Sequence, residues 1–181
     1  MVYVFLADGF EEVEALCPVD ILRRGGIEVK TVGVTGKTVM GAHNIPVVAD
    51  ITIEEAGFAG IDAVILPGGM PGTLNLQKDS TVESFIKFAV EKSLLLAAIC
   101  AAPMILGELG ILKGKKAVCY PGFEDKLLGA EVLDLPAVQD GNIITGKGAG
   151  AAFDFGFLLL EILTKNKPMV EELKKSMKYS K

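Results

Sequence analysis

The sequence predicts an α/β fold built on a mostly parallel β-sheet with helices on both of its faces. Three observations lead there. Short runs of consecutive apolar residues alternate with longer segments of helical periodicity along the whole chain. Strands that are apolar on both sides need cover on both faces, which is the habit of parallel sheets. Twenty-one glycines in 181 residues suit a chain with many tight strand-to-helix turns, and half of the residues are apolar, enough for one domain over residues 1–181 with its own core.

Val2 to Ala7 is an uninterrupted apolar run and reads as a buried strand, broken by Asp8 and Gly9. A helix is predicted from Phe10 to Arg24. Glu11 and Glu12 lie in its first turn, Arg23 and Arg24 in its last, and Gly25-Gly26 stop it. Ile27 to Val34 alternates like a strand, and Thr38 to Val48 reads as an irregular hairpin holding Gly41, His43, Asn44 and Pro46. Ala63 to Leu66 is a central strand closed by Pro67-Gly68-Gly69. Ser80 to Lys92 reads as a helix with Val82, Phe85, Ile86, Ala89 and Val90 on one face. Leu94 to Ile99 is another buried strand, followed by a helix from Ala101 to Leu109. Short strands are predicted at Ala117 to Cys119, Ala137 to Gln139 and Ile143 to Thr145. A buried helix follows over Phe153 to Leu163 and an exposed one over Met169 to Met177.

Composition excludes several function classes. A formal net charge of -5 disfavours nucleic acid and anionic membrane surfaces as partners. The Lys-rich end (Lys174, Lys175, Lys178, Lys181) is interleaved with Glu171 and Glu172 and reads as a solvated helix face. The first apolar run has no basic segment before it, and the longest one, Leu94 to Gly107, is too short for a bilayer and contains Pro103. A cytoplasmic protein is expected. Three cysteines and a single histidine provide neither a disulfide framework nor a zinc-ligand spacing, so no metal or other cofactor is expected.

In parallel sheets ligands bind beyond the carboxyl ends of the strands. That rule selects Asp8 to Glu14, Gly68 to Gly72, Cys100 to Pro103, Tyr120-Pro121 and Gly146 to Gly150. Within this set Cys100 stands out. It ends a buried strand at a sharp turn and is flanked by Ala97, Ala98, Ala101 and Ala102, whose small side chains leave a nucleophile elbow open. A helix N-terminus behind it favours the thiolate, lowering its pKa from about 8.5 by one to several units. The residues alone leave a buried structural cysteine equally open. Gly68-Gly69 lets backbone N–H groups approach a substrate, so Gly69 and Ala101 are candidate oxyanion donors. Glu14 is a candidate proton donor, read against an ordinary exposed helical acid. His43 is the only partner for a Cys-His pair and more simply a surface residue. Cys17 and Cys119 read as small apolar residues. Gly146 to Ala151 resembles a dinucleotide loop only superficially and reads as a structural turn.

Taken together, Glu11-Glu12-Val13-Glu14, Pro18-Val19-Asp20, Arg23-Arg24-Gly25-Gly26-Ile27, Leu66-Pro67-Gly68-Gly69, Ala97-Ala98-Ile99-Cys100-Ala101-Ala102-Pro103 and Asp154-Phe155-Gly156 resemble the ThiJ/PfpI superfamily, in the branch of the Parkinson-disease-associated deglycase and YajL. The resemblance implies a flavodoxin-like three-layer sandwich, a homodimer, Cys100 as an oxidisable nucleophile, Glu14 as the acid bonded to its sulfur, and backbone donors at Gly69 and Ala101. Tyr120 stands where the deglycase has histidine, and His43 where it has an arginine. These two residues and Arg24 are assigned to the site periphery. The peptidase branch has histidine directly after its cysteine, where this chain has Ala101, so a thiol peptidase would lack its base. The expected function is cysteine-dependent chemistry on small carbonyl compounds such as methylglyoxal, or on glycated adducts. The alternatives are an oxidative-stress sensor or redox-gated chaperone, and a non-catalytic scaffold.

Overall fold

The computed structural model describes residues 1–179. Lys181, counted above with the Lys-rich end, lies outside them. Seven strands form the main sheet: β1 (Val2–Leu6), β2 (Val29–Gly33), β5 (Ile51–Thr52), β6 (Ala63–Leu66), β7 (Leu95–Ile99), β10 (Ala137–Asp140) and β11 (Ile143–Gly146). Their order is β10-β11-β7-β6-β1-β2-β5. All neighbours run parallel except β10 and β11, which form an antiparallel edge pair. A separate antiparallel pair, β3 (Thr38–Met40) and β4 (Pro46–Val48), forms the predicted hairpin. A second small sheet pairs β8 (Lys116–Ala117) with β9 (Glu131–Val132), so the strand expected near Cys119 stays outside the main sheet.

Helices α1 (Glu12–Arg24), α5 (Ala152–Thr164) and α6 (Lys167–Ser176) contribute to one core cluster, where Phe10, Ile21, Leu22, Phe155 and Leu160 meet Val4, Leu6, Ile65 and Ile99 of the sheet. Helices α2 (Gly72–Lys78), α3 (Ser80–Glu91) and α4 (Pro103–Glu108) contribute to the other, where Leu76, Phe85, Ile86 and Leu106 meet Phe5, Leu66 and Leu96. Side chains alternate across a strand, so each central strand feeds both clusters, and its near-continuous apolar run is explained.

Helix α3 is nucleated by Asp79, whose carboxylate accepts from the N–H groups of Thr81 and Val82. Its buried stripe is Val82, Phe85, Ile86 and Ala89, while Val90, expected on the same face, is exposed. At about 100° per residue, Val90 falls roughly 90° from the stripe's centre. Helix α5 packs closely on α1 because Gly156 has no side chain: a Cβ there would lie 2.7 Å from Ile21 Cδ1 and 3.3 Å from Pro18 Cα. Helix α6 buries Val170 against this cluster and leaves most of its other residues partly or fully exposed. The helix expected from Ala101 begins at Pro103 and has six residues, and α2 was not anticipated at all.

Candidate functional site

The segments selected by the strand-end rule converge at the carboxyl ends of β1, β6, β7 and β11. Cys100 follows β7 directly and holds φ at 66°, a left-handed conformation that costs a residue with a Cβ roughly 1–2 kcal/mol. Its backbone is tied on both sides. The Cys100 N–H donates to Gly146 O at 2.9 Å, and Tyr120 N–H donates to Cys100 O at 2.8 Å. The elbow is therefore locked between the end of β11 and the segment after β8.

Glu14, in the first turn of α1, points into the same place and is 1 % exposed. Its Oε2 accepts the Gly68 N–H at 3.1 Å, and it also bonds the Cys100 side chain and the backbone of Ala149. Gly68 must be glycine here: a Cβ would lie 2.6 Å from both Cys100 Cβ and Glu14 Oε2. Gly69 sits at φ +90°, which turns its backbone toward the sulfur, and the N–H groups of Gly69 and Ala101 both bond Cys100. In the free protein these two donors serve the sulfur, where the sequence had suggested an oxyanion site.

Electrostatics correct one expectation. Burial pushes the Glu14 carboxyl up to about 7, aided by the charge of Glu11 and opposed by the bonds from Cys100, Gly68 and Ala149. Burial likewise pushes the Cys100 thiol up to about 12, with the charge and hydrogen bond of Glu14 adding to it and the Ala101 and Gly69 donors opposing. The sequence had suggested a lowered thiol. Two changes explain the reversal. The helix whose dipole was invoked starts at Pro103 and is short, so its field at the sulfur is weak. Two acids in one buried site also cannot both ionise, and Glu14 loses its proton first. When Glu14 is protonated, its charge no longer opposes a thiolate and the backbone donors remain.

The other predicted residues divide. Tyr120 borders the site and is 51 % exposed. Its ring lies against Gly148, where a Cβ would be 3.3 Å from Tyr120 Cδ2 and 3.9 Å from Glu14 Oε1. Tyr120, Pro121, Gly148, Ala149 and Asp154 help to line a cavity of about 480 Å³ on this side of the dyad. His43 does not pair with Cys100. The hairpin docks on the segment before α1, with Met40 N–H donating to Asp8 Oδ1 at 2.8 Å and Phe10 bridging Gly41. There His43 Nδ1 lies 2.9 Å from Glu12 Oε2 and 3.5 Å from Glu11 Oε2. Its N–H donates to Glu12 Oε1 at 2.8 Å. Hydrogen bonding to Glu12, with the charges of both acids, raises the His43 pKa. Arg24 is removed from the periphery. It pairs with Asp20 in the last turn of α1, ten residues beyond Glu14, or about 15 Å along the axis.

Sequence reasoning missed two groups. Ala149 lies in a stretch that the strand-end rule selects but whose glycine pattern reads as a structural turn, yet its backbone supports Glu14. Glu12, read as a charge favouring the helix dipole, is buried under the hairpin. Nothing in the local sequence marks that burial. Cys119 is buried and pushed up to about 11, while Cys17 is half-buried and pushed up to about 12. Among the described residues no helix is long and apolar enough to cross a membrane.

Residues 1–162 match the model of the DJ-1/PfpI family. The chain is 34 % identical to Protein dj-1beta of Drosophila melanogaster over 177 residues, covering 96 % of this chain and 94 % of the relative. It is 32 % identical to Glutathione-independent glyoxalase DJR-1.2 of Caenorhabditis elegans over 155 residues, covering 84 % and 82 % of the two chains. Among solved structures, a cysteine-to-alanine variant of a DJ-1 superfamily protein from Salmonella typhimurium superposes with a TM-score of 0.95 at 38 % identity, covering 99 % and 98 %. The oxidized form of Toxoplasma gondii DJ-1 superposes with a TM-score of 0.94 at 31 % identity, again over 99 % and 98 %. With its parallel sheet, its two helical layers and a whole-length match to these relatives, the chain belongs to the DJ-1/PfpI family.

Proposed function

We propose that this protein is a cofactor-independent stress-response enzyme acting on small reactive carbonyls such as methylglyoxal, or on their adducts with amines and thiols. The observation that carries the reading is the buried Cys100–Glu14 pair at a left-handed elbow, with the Gly69 and Ala101 N–H groups on the sulfur. A carboxyl at about 7 is well matched to moving protons near neutrality. In the proposed reaction Glu14 takes the thiol proton as Sγ adds to the aldehyde carbon and hands it to the alkoxide that forms, giving a hemithioacetal and a free carboxylate again. Glu14 then moves the aldehyde hydrogen, as a proton, to the neighbouring carbonyl carbon, while the hydroxyl proton of the hemithioacetal passes to the neighbouring carbonyl oxygen. The result is a thioester of Cys100 with a 2-hydroxy acid. Water cleaves the thioester, releasing the hydroxy acid and restoring the thiol. The sum is methylglyoxal plus water to lactate and a proton, with no external oxidant or reductant. The glyoxalase among the relatives supports this class of substrate. Turnover of methylglyoxal by the wild type, Cys100→Ser and Glu14→Gln tests it; equal rates in all three would overturn it.

A second reading is favoured by one observation: donors already aimed at Sγ are also placed to bind oxygen atoms added to it. Oxidation of Cys100 to the sulfinate, stabilised by Glu14 in its protonated form, would make the protein a redox sensor or oxidation-gated chaperone. Peroxide should then add two oxygens at Cys100 before Cys17 or Cys119, read by mass spectrometry. Both readings place the protein in the cytoplasm as a homodimer. The exposed Val13 and Leu16 on α1 are apolar positions that a second copy would cover. A monomeric mass in solution would remove the dimer from the proposal.

A further inference from the structure

Glu11 and Glu12 enter α1 from the end of β1, and His43 arrives from the β3–β4 turn, 31 residues beyond Glu12. The two segments are pinned together by Ala42 N–H donating to Phe10 O at 2.8 Å. Gly41 adds a close approach, since a Cβ there would lie 2.1 Å from Glu12 Oε1. The result is three ligand atoms, one from each residue, all within 4.8 Å of one another. We propose that Glu11, Glu12 and His43 form a binding site for a first-row divalent transition-metal ion such as Zn²⁺, with two carboxylate oxygens and one imidazole nitrogen as ligands.

Geometry, charge and ligand chemistry each support the assignment. An ion about 2.0–2.2 Å from each ligand needs ligands separated by roughly 3–3.5 Å. His43 Nδ1 already stands 2.9 Å from Glu12 Oε2 and 3.5 Å from Glu11 Oε2. Glu12 needs little rearrangement, because its side chain is 7 % exposed and its other oxygen is held by the His43 N–H. The cluster is also short of positive charge: among the described residues His43 is the cation in ion-pair contact with either acid. Neutral imidazole leaves a charge of -2, and imidazolium leaves -1. A divalent ion cancels the charge and displaces only the Nδ1 proton. Imidazole with carboxylates suits Zn²⁺ and its neighbours better than the all-oxygen shells of Ca²⁺ or Mg²⁺. His43 is 66 % exposed, so the site opens to solvent and a water or small anion completes the coordination.

This inference does not depend on the carbonyl chemistry. A competing thiol ligand is removed by working in the full-length Cys100→Ser protein, stripped with chelator and titrated with ZnCl₂ by calorimetry. One equivalent should bind, and His43→Ala and Glu11→Gln in that background should each weaken binding by about tenfold or more. Co²⁺ offers a second reading, with visible bands that both substitutions abolish. Circular dichroism shows whether each variant is folded. Failure of folded Cys100→Ser protein to bind Zn²⁺, or unchanged binding in either folded variant, would overturn the proposal. Absence of methylglyoxal turnover in the wild type, with Zn²⁺ still bound by the Cys100→Ser protein, would instead strike at the proposed function alone.

Discussion

Cys17 and Cys100 carry thiols raised to the same value, about 12, and for the same leading reason, burial. A nearby carboxylate also repels each thiolate, Asp20 in one case and Glu14 in the other, but the groups bonded to the two sulfurs differ. Cys17 lies within the regular turns of α1 against the core cluster shared with α5 and α6, and besides burial it is the repelling charge of Asp20 that raises its thiol. Cys100 stands at a left-handed elbow with a carboxyl bonded to it and two N–H groups pointing at it. A high pKa alone therefore separates nothing. What distinguishes the elbow is a nearby destination for the proton and donors for the charge left behind.

The largest expected effect follows directly. Cys100→Ser should lower methylglyoxal turnover by roughly 10⁴-fold or more, whereas Cys17→Ser and Cys119→Ser should stay within about twofold of wild type. Equal sensitivity of Cys17 would erase the distinction. Glu14→Gln should lower the rate by about 10²–10³-fold and remove the ionisation near pH 7 from the pH–rate profile. Because the carboxylate must accept the thiol proton, the wild-type rate should rise with pH through that region.

Stability sharpens the same contrast. The Glu14 carboxyl is raised from 4.5 to about 7 on folding, so the folded state favours its neutral form. Its contribution is fully present below pH 4.5 and is lost as pH rises through about 7, a change on the order of 3 kcal/mol. Denaturant titrations at pH 5 and pH 8 should show this loss for wild type relative to Glu14→Gln. Parallel pH dependences of the two proteins would show that Glu14 is not strained in the fold. A smaller effect is expected from Gly68→Ala, about 1–3 kcal/mol of destabilisation, because the added Cβ would press on Cys100 Cβ and Glu14 Oε2 at 2.6 Å. Its activity loss should exceed what the stability change explains, which kinetics on the folded fraction would reveal.

The Cys17–Cys100 contrast also explains what could be read in advance. The central strands were legible because both of their faces are buried, so their apolar runs carry a signal that no surface element matches. Cys100, Gly68 and Gly69 were legible because a strand end followed by small residues marks a place where backbone must come close. Helix α2 was hidden: it has seven residues and begins with glycine behind the Pro67-to-Pro71 turn, so no amphipathic stripe builds up. Arg24 was misplaced because a motif groups residues by sequence, while a helix between two parallel strands carries the chain from their carboxyl ends back to their amino ends.

By itself the sequence determined the layered α/β architecture and the turn that presents Cys100, since hydrophobic periodicity and glycine placement act over a few residues. It could not decide the protonation of the dyad. That depends on burial and on N–H groups from Gly69, Ala101, Gly68 and Ala149, which the sheet gathers from three separate strand ends. Nor could it pair His43 with Glu11 and Glu12, because only docking of the hairpin on the start of α1 brings those three side chains together. Electrostatic interaction falls with distance in space, and distance in space is what the tertiary fold supplies.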